Sequence, residues 1–99
     1  MKKTFFLKLN PPRPTFMLDM NKEERALMLQ HIAYWKPYVD NGTMLAMGPV
    51  MDAKGGYGVG IIAVENEEEL AQLIAADPAN GVNQYEIHPM RVVSNLLKE

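Results

Sequence analysis

The sequence predicts an α+β fold: a four-stranded antiparallel sheet with two helices on one face, in the order β-α-β-β-α-β. Three observations carry this. Residues 4–9, 43–50, 57–65 and 83–93 read as strands, short and apolar or alternating, with turn residues between them. Residues 21–40 place apolar side chains at helical spacing behind an N-cap. A second, shorter helical pattern stands between the third and fourth strands. Two βαβ halves of similar length suggest the ferredoxin-like plan, although the halves show no sequence repeat.

The elements follow in order. In TFFLKL (4–9), Phe5, Leu7 and Leu9 share one face, and Phe6 and Lys8 the other. NPPRPTF (10–16) holds three prolines, which remove donors and fix φ, so a surface loop is expected, with Arg13 on a stiff stretch. Asn21 is an N-cap for the first helix, and Glu24 completes a variant of the capping box. The helix runs to about Asp40 and stops at Asn41-Gly42. Its broad apolar face holds Leu27, Met28, His31, Ile32, Tyr34, Trp35, Tyr38 and Val39, and Pro37 is expected to kink its last turn. TMLAMGPV (43–50) is a strand ended by Gly48-Pro49; MDAKGGYG is a turn region; YGVGIIAVE (57–65) is the third strand. Asn66 caps a short helix that buries Leu70, Leu73 and Ile74 and ends at Asp77-Pro78. NQYEIHPMRVV (83–93) is the last strand, and SNLLKE a short turn or frayed tail.

Ninety-nine residues make one domain, 1–99. A chain of this size buries roughly 65% of its unfolded surface, enough for one modest core. The net charge is −2 and the ten basic residues are scattered, which argues against nucleic acid. With no cysteine, disulfides, thiolate nucleophiles and zinc–thiolate sites are excluded. The apolar part of MKKTFFLKLNPP is too short and too polar for a signal peptide, and no run reaches the ~18–20 apolar residues of a membrane span. A cytoplasmic protein with no membrane partner is the expectation.

The middle strands say something about assembly. Gly58, Gly60, Ile62 and Val64 point one way, and Val59, Ile61 and Ala63 the other; Met44, Ala46 and Gly48 stand opposite Leu45 and Met47. A sheet face that meets water alternates to polar residues, and these strands do not. The simplest cover is a second copy, giving a homodimer. The alternative is that VVSNLL folds back over the sheet.

Few residues can carry chemistry. Ser94, the single serine, stands near the end with no histidine motif around it. His31 and His88 are far apart and lack a second histidine at ligand spacing, so no metal is expected. KGGYGVG lacks the strand–loop–helix setting of a phosphate loop and reads as a turn into a strand, with room for a ligand beside Gly58 and Gly60. The eight methionines read as flexible core filler, or as walls of an apolar pocket, and composition favours the filler. His31 reads either as a core histidine with a satisfied ring or as an acid–base group that needs a carboxylate partner. Asp77 is the acid of interest because it closes a helix expected on the same face of the sheet; as a bare residue it reads equally as a turn former before proline.

Taken in order, a helical His31 followed by Tyr34-Trp35, then NGTMLAMGPV with Gly42 and Gly48-Pro49, then Gly58, then Asp77-Pro78 in ADPANGV, resemble the YciI-like (YCII-related) proteins from about residue 4 to residue 92. The resemblance implies a subunit of the dimeric α+β barrel superfamily, pairing through its sheets. It also implies a His–Asp dyad in a pocket, matched here by His31 and Asp77. A relative uses such a dyad as a dehydrochlorinase on a chlorinated, hydroxylated aromatic, and most members have no assigned reaction. The long PPRPTF loop and Pro37 depart from the family pattern. The loop would add a wall or lid to the pocket.

The expected function is acid–base chemistry of lyase, isomerase or hydrolase type on a small organic molecule, without a cofactor. His31 would be the base or acid and Asp77 would orient it. Tyr34, Trp35, Met47, Gly48 and Pro49 would line the pocket, and Arg13 would meet an anionic group. The alternative is a non-catalytic small-molecule-binding or accessory module.

Overall fold

A computed structural model describes residues 2–93 of the chain. The elements are β1 (Lys3–Asn10), α1 (Phe16–Asp19), α2 (Lys22–Asp40), β2 (Met44–Val50), β3 (Tyr57–Val64), α3 (Glu67–Ala75) and β4 (Gln84–Met90). The strands form one antiparallel sheet in the order β2-β3-β1-β4. This is the α+β, ferredoxin-like arrangement expected from the sequence, with one extra helical turn. The expected terminal turn SNLLKE, Ser94, and most of the segment VVSNLL lie outside the described residues.

Alternation along β1 decides where the core sits. Phe5, Leu7 and Leu9 are buried, and each pairs with a β3 residue of the same face: Ile62, Gly60 and Gly58. Those faces, with Val64 and Met44, take Trp35 from α2 and Leu70 and Ile74 from α3. Both long helices therefore lie on one side of the sheet. Phe6, Val59, Ile61 and Ala63 on the other side are only half-buried.

α2 begins as its cap predicts. The Asn21 side chain accepts from the Glu24 N–H at 2.7 Å, and Glu24 accepts from the Asn21 N–H at 2.9 Å. Both bonds satisfy N–H groups that a helix start leaves free. The helix runs through Pro37 to Asp40 and stops where Gly42 takes a φ of +88°, a conformation other residues rarely adopt. The apolar face is narrower than expected. Only His31 and Trp35 are buried, one turn apart, with Tyr34 and Tyr38 packed beside them. Ile32 and Val39 are 56% and 43% exposed.

Three further expectations need correction. The proline-rich loop is irregular over 11–15 as expected but not through 16, where Phe16 opens the helical turn α1: Leu18 and Asp19 N–H donate to Thr15 O, and the Thr15 hydroxyl donates to Asp19. β2 ends at Val50, within the expected 43–50, but it carries a bulge. Met44 pairs with Ile62 and Ala46 with Ile61, so Leu45 is an extra residue. The pleat therefore reverses after Leu45, and Met47, opposite Gly60, shares the helix face with Met44 instead of pointing away. β4 stops at Met90, not 93, because it pairs only with β1 and Met90 already stands opposite Thr4, near the start of that strand.

Candidate functional site

His31 comes from the middle of α2 and Asp77 from the turn after α3, and the shared face of the sheet brings them together. His31 is 6% exposed and Asp77 3%. Asp77 is placed by its own backbone: its N–H donates to Ile74 O, its carbonyl accepts from Asn80 N–H, and its Oδ1 accepts from Ala79 N–H at 2.9 Å. An aspartate that bonds the backbone two residues on is a common turn device.

The other oxygen, Oδ2, is the hub. It accepts from His31 Nδ1 at 2.7 Å, from Trp35 Nε1 at 3.0 Å and from the Tyr85 hydroxyl. Burial alone pushes the Asp77 carboxyl upward, but the bonds from His31, Tyr85, Ala79 N–H and Trp35 outweigh it and hold it down at about 2. Burial and then the Asp77 charge push the Tyr85 phenol well above its usual range, so it stays an O–H donor. An ionised acceptor makes Nδ1 the protonated nitrogen of a neutral His31 ring, and Nε2 then carries the lone pair.

His31 lines an apolar cavity of about 330 Å³, and Nε2, which has no partner among the described residues, is not fully enclosed. Trp35, Met47, Gly48 and Pro49 line it, together with Tyr85 and Asn83. Six methionines (Met17, Met20, Met28, Met44, Met47 and Met51) are in its wall, so the core-filler reading gives way to the pocket reading. Their unbranched thioether chains come from α1, α2, β2 and the segments beside them, where the sequence offers no common spacing. β3 forms the floor. A Cβ at Gly60 would stand 3.2 Å from Met44 Sδ, and one at Gly58 3.2 Å from Leu9 Cβ. Pro11, Phe16, Met17 and Met20 show the proline-rich insert closing one side.

Two expected residues are elsewhere. Arg13 does not reach the cavity. Its guanidinium donates to both Glu24 oxygens at 2.8 Å and to Asp19 Oδ1 at 2.8 Å, tying the insert to the start of α2. Those bonds, first to Glu24 and then to Asp19, raise it further above its ordinary value, while Arg13 and the Asn21 N–H hold Glu24 down at about 2. A guanidinium so engaged has no free fork for an anionic ligand. Tyr34 also stays out of the cavity: its hydroxyl donates to Leu73 O at 2.6 Å, its ring meets Trp35 edge-on, and burial pushes its phenol up to about 12.

Sequence reasoning missed Tyr85 and Asn83. Tyr85 opens a strand and pairs with Leu9, so its facing the helices follows once register is known. Asn83 ends a turn rich in turn formers, and nothing local marks it as buried. Among the described residues no three His, Asp or Glu side chains converge as metal ligands, and no helix is long and apolar enough to cross a membrane.

The model of the YCII-related domain fits residues 4–92, nearly the whole chain. No curated protein matches.

Proposed function

The chain belongs to the YCII-related family, and we propose that it is a small enzyme performing acid–base chemistry on an organic molecule held in the methionine-lined cavity. One observation carries this reading: His31 Nδ1 donates to Asp77 at 2.7 Å while the same ring lines an apolar cavity. In the neutral ring, Nε2 takes a proton from a C–H or O–H of the ligand. The imidazolium that forms sits against the Asp77 anion, which lowers the cost of charging it in a buried site. His31 then returns the proton to another atom of the ligand or to a leaving group. Asp77 is not the base, because its lone pairs are committed to four donors and its pKa is about 2. Elimination, isomerisation and hydrolysis share this proton transfer and differ in where the proton goes back. Trp35 and Tyr85 hold Asp77 in place, and the apolar wall excludes water that would compete for Nε2.

The same proposal includes a homodimer formed through the open sheet face, supported by Phe6, Val59 and Ile61, which no described helix covers. It acts in the cytoplasm.

Nitrogen-15 NMR of the histidine ring tests the site. The wild type is expected to show His31 as the Nδ1–H tautomer at neutral pH, and Asp77→Asn to shift it toward Nε2–H. Against a panel of small uncharged cyclic compounds, turnover found in the wild type is expected to vanish in His31→Gln with the melting transition kept. A mixed tautomer in the wild type, or turnover that survives in His31→Gln, would remove the dyad. Saturable stabilisation by a compound that is never turned over would favour the binding-module alternative.

A further inference from the structure

Asn83 is a polar side chain 3% exposed, set in the wall of an apolar cavity. Its backbone is tied into the turn that also carries Asp77: its N–H donates to Ala79 O at 3.0 Å and its carbonyl accepts from Gly81 N–H at 3.2 Å. Gly81 takes a φ of +107° to make that turn. The side chain is therefore aimed by fixed backbone.

Its amide makes one hydrogen bond among the described residues, from Nδ2 to Met28 Sδ at 3.4 Å. A thioether sulfur is a weak acceptor only, so it faces the NH₂ end and leaves Oδ1 without a donor. Sealing such an acceptor away costs about 1–3 kcal/mol. No fully enclosed side-chain nitrogen or oxygen among the described residues lacks a partner. Oδ1 is therefore open, and the space that Asn83 borders is the cavity. Met28 stands three residues before His31 on α2, about 4.5 Å along the helix axis. Met28, His31 and Asn83 all line the cavity, so Asn83 borders it beside the turn of α2 that carries His31.

The rest of the cavity says what kind of molecule fits. Among the described residues no Lys, Arg, Asp or Glu lines it. A charged group would lose its water there and find no counter-ion. An acceptor at one point and a basic nitrogen at another call for a donor on an otherwise apolar body. We propose that Asn83 is a ligand-binding residue whose amide oxygen accepts from a hydroxyl or N–H of an uncharged, otherwise apolar molecule, fixing its orientation against His31. This rests on the reading of the cavity as the ligand site.

Phenol and anisole are the probes, since they share size and ring but only phenol donates. Binding is followed through the methyl signals of the cavity methionines in protein labelled with methyl-¹³C methionine. The wild type is expected to bind phenol about five- to tenfold tighter than anisole, the effect of one neutral hydrogen bond. Asn83→Leu, which keeps the branched outline without the amide, and Asn83→Ala are expected to bring the ratio near one while anisole still binds. On the wild type alone, phenol is expected to move the Asn83 side-chain carbonyl ¹³C signal and anisole to leave it in place. An unchanged ratio in a folded variant, no movement of that carbonyl, or no shift of the methionine methyls with either probe would overturn the assignment. The His31 tautomer is read in the absence of any probe, so the dyad stands or falls separately.

Discussion

Asp77 sets the terms at the scale of single residues. Four donors on two oxygens hold it ionised in a place where burial alone would protonate it. Its carboxyl is lowered from 3.8 to about 2 in the folded protein, so its contribution to stability is present above about pH 4 and lost as pH falls through about 2. That shift corresponds to about 2 kcal/mol. Urea unfolding of the wild type and Asp77→Asn is therefore expected to show a stability difference about 2 kcal/mol larger at pH 6 than at pH 2. An equal difference at both pH values would mean that the native carboxyl titrates as it does in the unfolded chain. His31 and Asp77 were both legible as candidates, because few groups in this sequence can move a proton. Trp35 was legible as an apolar residue one turn from His31, but not as a donor to Asp77. Tyr85 and Asn83 had no legible role, since each depends on what stands across from it.

At the scale of elements, local chemistry was read well and alignment between elements was not. The capping box at Asn21 and Glu24, the stop at Gly42 and the cap at Asn66 all form from neighbours in sequence. Asn21→Ala removes an acceptor that the start of α2 needs. It is expected to cost about 1 kcal/mol, seen as a melting temperature lower by several degrees. His31, ten residues along the helix, is expected to keep its tautomer. The bulge at Leu45 shows the other side. Nothing in TMLAMGPV announces an extra residue, yet it turns Met47 toward the helices and gives the cavity one of its walls. Arg13 shows the same limit. Its stiffness was legible, but its partners are an acid on the new turn α1 and another in the first turn of α2. Those partners make it a clamp on the cavity wall, not a ligand group.

For the whole molecule, the sheet face that no described helix covers is the feature that bears on assembly. Phe6, Val59 and Ile61 lie in the middle of it, on the paired strands β1 and β3. Under the proposed pairing, light scattering on the wild type is expected to give twice the chain mass. Ile61→Lys, which puts a charge in the centre of that face, is expected to give the monomer with its secondary structure kept. A wild type that is monomeric at micromolar concentration would overturn the pairing.

The sequence by itself determined the order of the four strands and two longer helices, the caps and stops, the inward face of β1 and the short roster of groups able to do acid–base work. These depend on periodicity and on residues a few positions apart, where the chain's own geometry decides who meets whom. The tertiary structure alone decided that His31 reaches Asp77 across 46 positions and that Met28 reaches Asn83 across 55. It also decided that six methionines line a cavity and that Arg13 is held outside it. Those outcomes depend on how two helices cross one face of the sheet and on a one-residue shift in register. A pattern of hydrophobicity says which side of an element is inward, but not what stands opposite it.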